Sequence, residues 1–367
     1  MKSLLRFLPV LILPVFITVY SLSCNHVQST LVNLNVAANP FEKLSEYNFF
    51  AGDVKDLKPN ARVVPYDLIT PLFTDYAHKA RFIYVPEGKS IDYDTTQVLQ
   101  LPVGSCLIKN FYYPEDFRKP EGKRRIMETR LLIRREGGWD NLDYQWNEEQ
   151  TDAVLDNTGG IKPVSWIHYD GSQKQIDYVI PNKNQCKSCH WRNDKSFSPI
   201  GPKVRNLNRD YAYADGTENQ LTHWSKLGIL KNAPSPEQAP RLVDWTDSLH
   251  HTVEERSRAY LEMNCGHCHN PNGPAYTSGL YLNIQNQTTE NLGMCKVPVA
   301  AGKATGNNIY DIVPGHPEQS ILPYRMSSTD PAIKMPELGR VMVHEEAVAL
   351  ITRWITEMKG ECAKREE

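Results

Sequence analysis

The chain has 367 residues, with 41 lysines and arginines against 43 aspartates and glutamates, a formal net charge of -2. It is 40% hydrophobic and 23% charged, a composition that excludes disorder, collagen and a multi-span membrane protein. The length accommodates two or three domains, and the balanced charge gives no reason to expect nucleic acid or another polyanion as partner.

At the N-terminus Lys2 and Arg6 are followed by an apolar run from Phe7 to Tyr20, then Ser21-Leu22-Ser23-Cys24. A basic stretch, an apolar stretch and a small residue before a cut predict a secretory signal over residues 1–23. An uncleaved anchor is the alternative, because the run approaches the length of a membrane span. Cys24 directly after the apolar run resembles the lipobox of bacterial lipoproteins. There the cysteine carries the lipid and begins the mature chain. Ser23 fits that pattern, while Leu22 stands one place late. The resemblance implies an exported protein, periplasmic or anchored to the outer membrane through Cys24, with a soluble body. Simple cleavage is the other outcome.

Residues 24–44 carry Ser, Thr, Asn and Pro without clear periodicity and read as a linker. Residues 45–181 are β-rich. Arg81–Val85 is apolar and β-branched and stops at Pro86-Glu87-Gly88. Val98–Tyr113 is similar, with breaks at Pro102 and Gly104, and Thr129–Arg135 ends at Gly137-Gly138. Trp166–Tyr169, Asp170-Gly171 and Ile176–Ile180 spell a hairpin. Short strands between turn signals predict a β-sandwich-like domain. Its aromatic residues, including Tyr112, Tyr113, Trp139, Tyr144 and Trp146, read as core packing, with a ligand surface as the alternative.

After Pro181 helical signals take over. Thr217–Gln220 and Thr252–Glu255 are capping-box patterns opening helices toward Leu230 and Asn264. Val348, Ile351, Ile355 and Met358 recur at helical spacing beside Trp354, and that helix ends near Gly360.

Two short motifs carry the chemistry. Cys186-Lys187-Ser188-Cys189-His190 and Cys265-Gly266-His267-Cys268-His269 both match the attachment motif of c-type haem. Two thiols three residues apart reach the two vinyl groups of one haem, and the next residue sets an imidazole under the iron. A zinc ribbon brings its cysteine pairs much closer in sequence than Cys189 and Cys265 stand here. Cys265-Gly266-His267-Cys268 shares its letters with the active site of protein disulfide isomerases. That fold sets the pair where a strand passes into a helix, whereas here a predicted helix precedes it.

Cys265–His269, Lys334-Met335-Pro336 and the closing Trp354-Ile355 helix look like a c-type cytochrome domain. With Pro65–Leu68, Glu128–Leu132, Tyr260-Leu261, Val313–Gly315 and Ser320–Leu322, the combination resembles a family of predicted di-haem c-type cytochromes of bacteria, many with lipoprotein signals. The resemblance covers most of the mature chain. It implies a multidomain α+β chain: a β-sandwich-like domain (45–181), a first haem segment (182–251) and a second, cytochrome c-like haem domain (252–367), the last two mostly α.

Two covalently attached haems are thus expected, on Cys186 and Cys189 and on Cys265 and Cys268. His190 and His269 are the proximal candidates. Met335 is the distal candidate for the second haem, because Pro336 fixes the backbone beside it and a thioether favours Fe(II); Met326 is the alternative. For the first haem His223 is the leading distal candidate. His250, His251, Met127 and an open site remain as alternatives. Of the other cysteines, Cys295 and Cys362 can pair in an oxidising compartment, and Cys106 lies in a predicted strand as a buried lone thiol. The expected function is electron transfer between redox partner proteins. The competing class is a di-haem redox enzyme, peroxidase-like, with an open first site.

Overall fold

The computed structural model describes residues 31–363. The predicted signal and Cys24 lie outside them, and no helix among the described residues is long and apolar enough to cross a membrane. In chain order the elements are β1 (Val63–Tyr66), β2 (His78–Tyr84), β3 (Ile91–Asp92), β4 (Cys106–Pro114), β5 (Arg124–Arg135), β6 (Gly138–Trp146), β7 (Ala153–Leu155), β8 (Gly160–Ile167) and β9 (Gln173–Ile180). There follow α1 (Lys183–His190), α2 (Val204–Leu207), β10 (Asp210–Tyr213), β11 (Gly216–Asn219), α3 (Gln220–Lys226), β12 (Leu230–Lys231), α4 (Val253–Asn264), α5 (Ile321–Ser327) and α6 (Glu345–Glu357).

One antiparallel sheet in the order β1-β2-β4-β5-β6-β7 forms the centre. Its register follows from period-2 alternation. Phe82, Ile108, Leu131 and Leu142 stand in one cross-strand row on the first face. They pack there with Leu44, Tyr47, Phe50, Tyr144 and Trp146. Val32, Leu34, Val36 and Phe41, from the stretch expected as a linker, also pack against this core. One residue earlier or later on the strands, Arg81, Lys109, Arg130 and Asp143 form the matching row. Period-2 alternation sends that row to the opposite face.

The second face does not meet another large sheet. Its apolar part, including Ile83 and Leu107, packs with Val204, Leu207, Leu221, Trp224, Ala259 and Met263 from the C-terminal half. β3 also pairs in parallel with β12. The expectation of a β-sandwich-like domain followed by mostly α cytochrome c-like domains is therefore corrected. A six-stranded antiparallel sheet dominates, and its core continues into the second half. That half holds only short helices between turns and short strands. Prolines such as Pro271, Pro274, Pro298, Pro314 and Pro331 recur through its long middle stretch and stop helices from extending.

The local signals had mixed success. The hairpin β8–β9 turns at Asp170-Gly171, with Gly171 at φ +84°, a conformation that favours glycine. Thr252 caps α4 with the expected box, its hydroxyl accepting from Glu255 N. The other capping box is displaced. Thr217 pairs in β11, and Asn219 caps α3 through Leu221 N. α4, α5 and α6 enclose a separate apolar cluster around Leu261, Ile312, Leu322, Ile351 and Trp354. Cys295 and Cys362 form a disulfide, and Cys106 is a buried free thiol.

Candidate functional site

The two motifs, far apart in sequence, meet in space. α1 carries Cys186, Cys189 and His190 and starts at Asn182, whose side chain accepts from Asn184 N and Gln185 N. The cysteines are three residues apart and His190 follows, so all three lie within about one helical turn. The second motif opens at Cys265, the C-cap of α4. Cys268 N and His269 N both donate to Cys265 O, at 3.1 and 2.9 Å, which winds the motif tightly. Gly266 is required by that winding: a Cβ there would stand 2.8 Å from Glu262 O and 3.0 Å from Asn283 Cα.

Backbone contacts tie the segments together. Asn193 N donates to Asn272 O at 3.0 Å and Asn193 Nδ2 to Pro271 O at 3.0 Å. At the centre, donor atoms of Cys189, His267 and Cys268 lie within 4.8 Å of one another. Cys189 is pulled down to about 4, chiefly by the hydrogen bond with Cys268, which pushes the Cys268 thiol up. The four motif cysteines are all unbridged. Only Cys189 and Cys268 belong to this trio, so the four-cysteine zinc arrangement is not assembled; the trio itself offers three of the four ligands that structural zinc takes.

Both motif histidines are oriented for coordination. His190 Nδ1 is 2.8 Å from Ser198 O, and its ring stacks on Phe197 with centroids 4.7 Å apart. His269 bonds to the backbone of Leu280, with Ser278 Oγ 3.4 Å from its Nδ1. For His190 the backbone carbonyl on Nδ1 fixes the ring and leaves Nε2 for a metal. Burial, the largest cause for both, pulls each imidazole down to about 4, so both rings are neutral at neutral pH.

Each motif opens on a cleft. The first, about 1750 Å³ including its open mouth, is lined by Cys186, Cys189 and His190 on one side and by Arg81, Lys109, Arg130 and Asp143 on another. The second, about 1380 Å³ on the same basis, is lined by Cys265, Cys268, His269 and Met335. Met335 and Met326 border both clefts. Met326 is buried in the apolar cluster of α5, while Met335 sits on a loop held by Arg340. The guanidinium of Arg340 donates to the carbonyls of Met335 at 2.8 Å, Ser328 at 2.9 Å, Met342 at 3.0 Å and Met326 at 3.1 Å. Asp75, from the sheet half, accepts from Val341 N and Met342 N at 2.8 Å each.

The other candidates are elsewhere. His223 stacks on Tyr213 with centroids 3.6 Å apart, bonds to Glu218, and lines neither cleft. His250 is exposed beside Asp247, His251 lies near Glu255, and Met127 is buried among Phe111, Trp166 and Tyr178. Sequence reasoning missed three features: the charged row of the sheet, Arg340, and His344. His344 lines the first cleft, stacks on Phe73 and pairs its Nδ1 with Tyr260 Oη at 3.0 Å. The charged side chains at alternate positions of Glu128-Thr129-Arg130 were the available signal for the row.

The chemistry of the donor set fits haem: two thiol pairs, each followed by an imidazole that is hydrogen-bonded to the protein and borders a cleft. Comparison of the chain with protein-family models, curated proteins and solved structures finds no match.

Proposed function

We propose that the chain is an exported di-haem c-type cytochrome that carries electrons between redox partner proteins. The observation that supports it most is the meeting of two Cys-x-x-Cys-His segments, each with its imidazole held by backbone and each bordering a cleft. When bound, haem supplies an iron that gains or loses one electron. The chain's residues do the rest. The thiols of Cys186 and Cys189, and of Cys265 and Cys268, would hold the porphyrin covalently as thioethers. His190 and His269, neutral at neutral pH, offer Nε2 as proximal ligands. Met335 offers a soft thioether at the second site, favouring the reduced iron. In this reading Cys24 anchors the mature protein to the membrane.

A second reading, a redox enzyme with an open first site, draws on one observation. His223, His250, His251 and Met127 do not line the first cleft, which has a polar wall instead.

The test is expression with haem-maturation machinery. Mass spectrometry and the reduced pyridine spectrum should give two covalent haems per chain. Cys186→Ser/Cys189→Ser and Cys265→Ser/Cys268→Ser should each remove one. Met335→Ala should abolish the near-infrared methionine-to-ferric-haem band. A chain that matures without haem overturns the proposal, and a retained band overturns the role of Met335.

A further inference from the structure

The wall of the first cleft holds a lysine without an ion-pair partner among the described residues. Arg81, Lys109, Arg130 and Asp143 are neighbours across β2, β4, β5 and β6, and all four line the cleft. Arg81 pairs with Asp67. Arg130 is matched by Glu128 through Nε at 2.8 Å and Nη2 at 2.6 Å, which leaves Nη1 for a further acceptor. Lys109 has no carboxylate within 4 Å among the described residues. Its ammonium lies over the ring of buried Phe111, 4.7 Å from the centroid, and the Arg130 guanidinium is 4.4 Å from the same centroid. Two cations thus share one ring, and only one of them has a counter-ion.

Asp143 is 4% exposed, neither of its carboxyl oxygens has a hydrogen-bond partner, and its ion-pair partner is Arg130, with Oδ2 3.7 Å from Nε. Burial, then the adjacent Glu128, pushes its carboxyl well up. Both carboxyls thus stand against Arg130 and neither pairs with Lys109. Burial, with Arg81, Lys79 and Arg130 nearby, pulls the Lys109 ammonium well down, as expected of a cation lacking its anion.

We propose that the first cleft is a binding site for a small inorganic oxyanion, held by Lys109 and Arg130. An anionic oxygen between the Lys109 ammonium and the free Nη1 of Arg130 would accept charge-assisted hydrogen bonds from both. The inference rests on the di-haem reading, in which the first haem shares this cleft. The carboxylates of the haem itself share this chemistry, so the test separates the two sources.

The probe is sodium nitrite, titrated into the full-length ferric protein and followed by the Soret band, after the haem count has been measured. Wild type should shift. Lys109→Met should weaken binding by about tenfold or more with two haems retained, and Lys109→Arg should restore most of the affinity. Two haems with no nitrite response overturn this site and leave the di-haem reading standing, whereas absence of haem overturns both. Unchanged affinity in Lys109→Met overturns the site. Loss of one haem from that variant assigns Lys109 to the haem's own carboxylates and also overturns it.

Discussion

The two Cys-x-x-Cys-His segments share two cysteines and a histidine at one spacing and almost nothing of their surroundings. The first lies on α1, which buries no side chain and faces a charged row of a β-sheet. The second grows out of α4, seven of whose residues are buried, and faces a loop that Arg340 anchors to five carbonyls. One motif is set against polar groups and the other is set in an apolar core. An identical ligand motif therefore does not imply an identical site. What surrounds each motif is decided by the elements opposite, and those come from the sheet in one case and from the C-terminal loop in the other.

That contrast can be broken or sharpened by perturbing each side. The largest effect is expected in the core behind the second motif. Trp354 is 4% exposed and packs among Leu261, Ile351 and Ile355, so Trp354→Ala should cost about 3–5 kcal/mol in urea denaturation. Because the core of the sheet runs on into α4 through Ala259 and Met263, circular dichroism and fluorescence should report one shifted transition. Two separate transitions would mean that the sites belong to independent units.

A smaller, pH-dependent effect should touch both sites. His78, His190, His269 and His344 are each pulled down to about 4, chiefly by burial. Below its ordinary value near 6.5 an unfolded histidine takes up a proton that the folded one refuses. The stability of the haem-free protein should be complete above that value and should fall progressively as pH drops from 6.5 toward 4. A denaturation midpoint that stays constant over this window would refute it.

The smallest effect separates the two helices most cleanly. Asn182→Ala and Thr252→Ala each remove a cap worth about 1 kcal/mol. The loss should fray α1, which has no buried face, while α4 stays protected by its core. Amide exchange across residues 184–190 and 254–264 measures this directly, and equal protection in both would erase the distinction.

The sequence was most readable where a feature is local. Thr252-Val253-Glu254-Glu255 sets its helix start by itself, and Asp170-Gly171 sets its turn. The motif residues and Met335 were also legible, and the structure sets Met335 at the margin of both clefts. Long-range register was not legible. Nothing near Lys109 in the chain reveals that Arg81 and Arg130 are its cross-strand neighbours. For the same reason His223 looked available as a ligand, although Tyr213 from the adjoining β10–β11 hairpin occupies its ring face. The helical signals of the second half were real but short-range, and they said nothing of a core shared with the sheet.

The Cys295–Cys362 bond has a consequence for the loop that carries Met335. Covalently, everything between those cysteines is a closed ring spanning a sequence separation of 67. Closing a ring of that size removes roughly 4 kcal/mol of chain entropy from the unfolded state. Met335, α5 and all of α6 are members of that ring, whose ends stay joined even when their packing loosens. The thioether is thus leashed from both ends, and the leash depends on where the chain folds: it exists in an oxidising compartment and is absent in a reducing one.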